Sequence, residues 1–240
     1  MQIIKVKDYN EMSEKATDFV AKGVSETPDG LISFPGGETP LGLFQEFVKR
    51  VNEGEIDISK TRYVSLDEWV GLSWQDEGSC GLFNQENLLS KLNAPFLDVK
   101  IINGVATDIE QEKEELNRYI LRHGPLTVSV LGIGMNGHLG FNEAGVDFDS
   151  LGHITPLDEI TKKVMVKYFG TKFVPTHGIT QGIGQIMAAK LVVLMASGQQ
   201  KADIILAALK GPITNKMPAS ILQKHPNCVV VLDEAAASKL

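Results

Sequence analysis

Six short apolar runs rich in β-branched residues, alternating with segments of helical periodicity, constrain this chain more than any other feature. They are Gly30 to Phe34, Arg62 to Leu66, Val99 to Ile102, Thr127 to Leu131, Leu191 to Ala196 and Cys228 to Leu232. Nearly continuous apolar strands need cover on both faces, unlike strands that alternate apolar and polar residues. The intervening segments supply that cover. Thr39 is placed to cap a helix with Pro40 at its first position; Leu41, Phe44, Val48 and Val51 form its apolar stripe, and Gly54 ends it. Thr107-Asp108-Ile109-Glu110 reads as a capping box that opens a helix through Leu116, Tyr119 and Ile120, stopping at Gly124-Pro125. A third helix, Gln199 to Lys210, closes at Gly211-Pro212. This alternation predicts an open, mostly parallel, doubly wound α/β sheet, a modified Rossmann-like layout with helices on both faces. With no linker, repeat or low-complexity tract, residues 1–240 are expected to form one domain.

Charge and cysteine usage narrow the function classes. A net charge of −7 argues against nucleic acid or an anionic membrane as partner, since both need a basic surface. It leaves room for a small anion held by a few local donors. Cys80 and Cys228 lie far apart without metal-ligand spacing, which fits free cytosolic thiols. The N-terminus lacks the apolar core of a signal peptide and no run is long enough to span a bilayer, so a cytoplasmic setting is expected.

In open parallel sheets ligands bind beyond the carboxyl ends of the strands, so four strand-end segments hold the candidate chemistry. Phe34-Pro35-Gly36-Gly37-Glu38-Thr39-Pro40 combines glycines, a hydroxyl and a helix start, as an anion cradle does; a tight turn with a threonine cap explains the same residues without a ligand. Asp67 and Glu68 follow a strand as adjacent carboxylates, which lets one face the crevice and the other the scaffold; a solvated pair of turn acids explains them as well. A carboxylate partly desolvated near Trp69 would have a raised pKa and serve as a base. The third segment, Val130 to Glu143, contains Gly132-x-Gly134-x-x-Gly137, the spacing of a dinucleotide-binding turn. The helix that should follow its third glycine is replaced by His138-Leu139-Gly140-Phe141-Asn142, which disfavours a nicotinamide or flavin cofactor and exposes His138 beside Glu143. In the fourth, Lys201 sits in the first turn of a helix, where a bound anion would reverse its penalty against the macrodipole. Together these residues suit proton transfer on a phosphorylated small molecule. Asp67, His138 and Glu143 lack the spacing of a metal site, and neither metal nor cofactor is expected.

At Leu66-Asp67-Glu68-Trp69-Val70-Gly71-Leu72, and above all at Leu131-Gly132-Ile133-Gly134-Met135-Asn136-Gly137-His138-Leu139-Gly140-Phe141-Asn142-Glu143, the chain resembles the glucosamine-6-phosphate deaminases. These belong to a wider superfamily with the 6-phosphogluconolactonases, and the resemblance runs through essentially the whole chain. Lactonase relatives usually continue the glycine-histidine pair with threonine-alanine-serine, whereas this chain has the deaminase continuation.

The resemblance implies an aldose-ketose isomerase/deaminase that converts an amino-sugar 6-phosphate to the ketose 6-phosphate plus ammonia, without cofactor. His138, oriented by Glu143, would open the pyranose ring, and Asp67 would carry the proton from C2 to C1. Gly36, Gly37, Thr39 and Lys201 match phosphate-binding positions, with Glu68, Gly137 and Lys167 as further substrate-binding positions. Asn136 stands where many members have aspartate and takes a supporting catalytic role. Lys167 stands for a common arginine, which loses bidentate recognition, and Trp69 for a common tyrosine. These departures leave glucosamine 6-phosphate and galactosamine 6-phosphate both open as substrate. A 6-phosphogluconolactonase and a non-catalytic sugar-phosphate sensor are the alternatives, and a monomer or small homo-oligomer is expected.

Overall fold

A computed structural model describes residues 1–162 and 174–240. The strands are β1 (Gln2–Val6), β2 (Leu31–Phe34), β3 (Arg62–Ser65), β4 (Asp67–Trp69), β5 (Asp98–Lys100), β6 (Val128–Leu131), β7 (His153–Pro156), β8 (His177–Thr180), β9 (Leu191–Ala196) and β10 (Cys228–Asp233). The helices described are α1 (Tyr9–Glu26), α2 (Leu41–Asn52), α3 (Cys80–Asn87), α4 (Ile109–His123), α5 (Ile183–Met187) and α6 (Ala202–Lys210).

Seven strands form a parallel sheet in the order β1-β10-β9-β6-β2-β3-β5. Alternate residues of the central strands enter two separate cores. Ile32, Phe34, Val128, Val130, Val193 and Val231 pack under α1 and α2. Leu31, Leu131, Val192, Leu194, Val230 and Leu232 pack under α4, α5 and α6. This two-sided burial is why the strands carry continuous apolar runs, and it produces the doubly wound α/β arrangement. A small antiparallel sheet, β4-β8-β7, continues from the end of β3.

Several local expectations are revised. Thr39 does not cap α2: Pro40 occupies the cap position, with no side-chain hydrogen bond. The cap of α4 is Asp108 rather than Thr107, its carboxylate accepting the Gln111 N–H at 3.0 Å. The segment from Gln199 starts as a 3₁₀ turn and becomes α-helical at Ala202. Strand β5 covers Asp98–Lys100 rather than Val99 to Ile102. Neither β1 nor α1 stands among the six runs and three helices read from the sequence, although α1 carries a regular stripe of Met12, Ala16, Val20 and Val24 behind an Asp8 cap.

Strand order reverses between β2 and β6, neighbours whose onward connections run to opposite edges of the sheet. A crevice therefore opens beyond Phe34 and Leu131. The loops that leave these two strands are the two glycine-rich segments.

Candidate active site

A cavity of about 670 Å³ fills this crevice. One wall is the turn from Pro35 to Thr39, a second is the loop from Gly132 to Phe141, and Asp67, Ser79 and Cys80 close a third side. Thr39 faces Gly132, where a side chain would begin 3.7 Å from its hydroxyl. Lys201 also lines the cavity, with its Nζ donating to the Ile133 carbonyl at 2.6 Å. Glycine amides, a threonine hydroxyl and an ammonium thus converge at the starts of α2 and α6, where helix termini favour negative charge. Glu38, the acidic residue of this turn, is exposed.

Asp67 opens β4 and faces the cavity with 8% of its surface accessible. Its Oδ1 is buried and accepts no hydrogen bond among the described residues. Burial pushes the carboxyl up to about 6, while the neighbouring His138 charge and a hydrogen bond from the Cys80 thiol pull it down. Gly140 permits this approach: with φ of +58° it passes so close that a side chain would meet Thr180 Oγ1 at 2.7 Å and Asp67 Oδ2 at 3.4 Å.

Glu68 points the other way, as strand alternation demands, and does not line the cavity. Its carboxylate accepts the N–H groups of Trp69 (2.8 Å), Cys80 (3.0 Å) and Gly81 (2.7 Å), tying β4 to the start of α3. Burial pushes it up to about 8 against those three amides. Expected at the substrate, Glu68 instead braces the wall that carries Cys80. The Cys80 thiol is held well above its ordinary value by burial and by the charges of Asp67 and Glu68, which keeps it protonated and a poor nucleophile.

His138 sits on the cavity wall with its ring against Gly134, where a side chain would begin 2.3 Å from Nε2. Any residue but glycine at 134 would displace the imidazole. The Nδ1 side is tied back to Glu143 Oε2 at 3.3 Å. Asn136 Nδ2 donates to the same oxygen at 2.8 Å, and its Oδ1 accepts the His138 N–H at 3.2 Å. Burial pushes Glu143 up, but the His138 charge and the hydrogen bonds from Thr161 and Asn136 outweigh it, and the carboxyl ends below its ordinary value. Glu143 lies behind the ring rather than on the cavity. Gly137 is buried and does not line the cavity, and its carbonyl accepts the Ala219 N–H at 2.9 Å.

Lys167 lies outside the described residues. Among the cavity residues given no role from the sequence are Cys80 and Thr161, whose hydroxyl reaches both Glu143 and His138. Nothing in local spacing marks Thr161, which stands 18 positions from Glu143. Trp69 and Phe141, with ring centroids 4.5 Å apart, supply an apolar flank. A buried base and an acid/base imidazole on one cavity, next to an anion cradle, can move protons on a phosphorylated substrate.

The family model described as glucosamine-6-phosphate isomerases/6-phosphogluconolactonase matches residues 8–231. A glucosamine-6-phosphate deaminase of Thermoanaerobacter pseudethanolicus is 37% identical over 239 residues, covering 99% of this chain and 94% of the relative. One from Clostridium botulinum is 39% identical over 241 residues, covering 100% and 99%. A solved structure described as a monomeric glucosamine-6-phosphate deaminase superposes with a TM-score of 0.95 at 31% identity, over 100% of both chains. The 6-phosphogluconolactonase of Thermotoga maritima shares the fold, with a TM-score of 0.76 at 17% identity over 97% of this chain and 99% of that one. The chain belongs to the glucosamine-6-phosphate isomerase/6-phosphogluconolactonase family.

Proposed function

We propose that the protein is an amino-sugar-phosphate deaminase/isomerase, converting glucosamine 6-phosphate or its galactosamine epimer to the ketose 6-phosphate and ammonia. The observation that carries this reading is the meeting of Asp67 and a Glu143-backed His138 on one cavity beside the Gly36, Gly37, Thr39 and Lys201 cradle. Full-length identity of 37–39% to relatives named glucosamine-6-phosphate deaminase supports it over the lactonase alternative, since solved structures named 6-phosphogluconolactonase share the fold at 17% identity.

The cradle takes the 6-phosphate and thereby fixes the sugar along the cavity. His138 accepts the proton of the C1 hydroxyl and returns it to the ring oxygen as the C1–O5 bond breaks, leaving the open-chain aldehyde. Asp67, ionised and sheltered from water, then removes the C2 proton while the C2 ammonium passes a proton to the aldehyde oxygen, which gives the enolamine. Asp67 returns its proton to C1, and the imine left at C2 adds water and expels ammonia. Glu143 holds the imidazolium that forms during ring opening, and Asn136 holds Glu143. Within this reading one domain carries the whole site, in a cytoplasmic monomer or small homo-oligomer.

The test is ammonia release from glucosamine 6-phosphate and galactosamine 6-phosphate. Wild-type protein is expected to release it from at least one, and Asp67→Asn to be slower by about 10²- to 10⁴-fold, the usual worth of a positioned base. No release from either sugar by the wild type overturns the reading. Equal rates in Asp67→Asn would overturn only the base.

A further inference from the structure

We infer that Thr161 is a positioning residue that fixes the tautomer and orientation of His138, an inference that rests on the deaminase reading for its kinetic consequence but not for its structural one. Thr161 is 4% exposed and reaches the cavity from a segment separate from the glycine-rich loop. Its hydroxyl donates to Glu143 Oε1 at 2.6 Å and lies 3.2 Å from His138 Nδ1. A hydroxyl has one proton, and here the carboxylate takes it. Towards the ring, Thr161 therefore offers only a lone pair, so Nδ1 must carry hydrogen to avoid facing an acceptor unprotonated. The second Nδ1 neighbour, Glu143 Oε2 at 3.3 Å, is an ionised acceptor and makes the same demand.

Two acceptors on one face leave a single neutral form, with hydrogen on Nδ1 and the Nε2 lone pair turned to the cavity past Gly134. That is the form able to accept the C1 hydroxyl proton at the start of ring opening. Thr161 also contributes a function that Asn136 does not. Asn136 binds Oε2 of Glu143, whereas Thr161 binds Oε1, so the carboxylate is gripped at both oxygens and cannot rotate away from the ring. The second grip on Oε1, the Asp158 N–H, is long at 3.4 Å.

The experiment pairs ¹⁵N NMR of the histidine rings with steady-state kinetics of Thr161→Val and Thr161→Ser. His138→Gln identifies the His138 signals. In the wild type at a pH where His138 is neutral, its signals should show the Nδ1–H tautomer; the Nε2–H tautomer would overturn the inference whether or not the protein is a deaminase. Thr161→Val keeps the shape and removes the hydroxyl. It should lower kcat by about tenfold or more with KM within about threefold, as expected for lost orientation rather than lost binding. Thr161→Ser should recover most of that loss. Unchanged kcat in Thr161→Val, or a serine variant as impaired as the valine one, would overturn the positioning role. A wild type that releases no ammonia would instead defeat the deaminase reading and leave the tautomer result standing on its own.

Discussion

Asp67 has an environment that sets its own working range. An exposed aspartate titrates near 3.8, and burial carries this one to about 6. Because the proposed base is the ionised form, activity should be full above that value and fall as pH drops through it. A ¹³C titration of the side-chain carboxyls, with Asp67 assigned by its loss in Asp67→Asn, should show a midpoint of about 6 and a matching acid limb in the rate. A midpoint near 4 would mean that the carboxylate is solvated and the proposed shelter absent. The sequence marks Asp67, His138 and Glu143 as a candidate set, and the fold brings Asp67 and His138 onto one cavity with Glu143 behind the ring. Glu68 was legible as a partner of Asp67 but not in its task, since sequence shows that adjacent carboxylates diverge without showing which amides one of them meets. Thr161 was not legible, because the contact that matters crosses 18 residues and a single threonine has no pattern.

At the scale of elements, the proposed phosphate turn depends on a helix that sequence periodicity did not bring forward. The Tyr9 hydroxyl, in the first turn of α1, accepts the Gly42 N–H at 2.8 Å and lies 3.1 and 3.2 Å from the carbonyls of Glu38 and Thr39. It thus pins the turn at the start of α2, where Thr39 leaves the cap unmade. Removing it in Tyr9→Phe leaves a first-turn amide and two carbonyls without that partner, a cost of about 1 kcal/mol. Thermal unfolding should register that cost. KM for the phosphosugar should rise by about two- to tenfold if the loosened turn loses about 0.5–1.5 kcal/mol of phosphate binding. An unchanged KM would separate Tyr9 from the site. The strands that were legible are those buried on both faces, such as β9 and β10. The edge strand β1 was not, because its residues are mostly part-exposed and the run is broken by Lys5. The three-residue β4 is too short to show a period, and its pairing with β8 is held by register rather than by composition.

The whole molecule explains how these parts meet. Reversal of strand order between β2 and β6 brings the two glycine-rich loops to one crevice, and the small sheet turns Asp67 into it from the end of β3. Two cores, one on each face, hold that geometry, so the loops are free to carry polar groups. The net charge of −7 does not by itself oppose an anionic substrate, because Gly36, Gly37, Thr39 and Lys201 present local donors beside the exposed carboxylate of Glu38. The central claim is that one sheltered carboxylate carries a proton between adjacent carbons of the sugar. Glucosamine 6-phosphate deuterated at C2, or the galactosamine epimer if that is the substrate, tests it in ordinary water. The account predicts that part of the deuterium appears at C1 of the ketose 6-phosphate, because Asp67 holds it out of solvent between the two transfers. Ammonia released with no deuterium at C1 would contradict it.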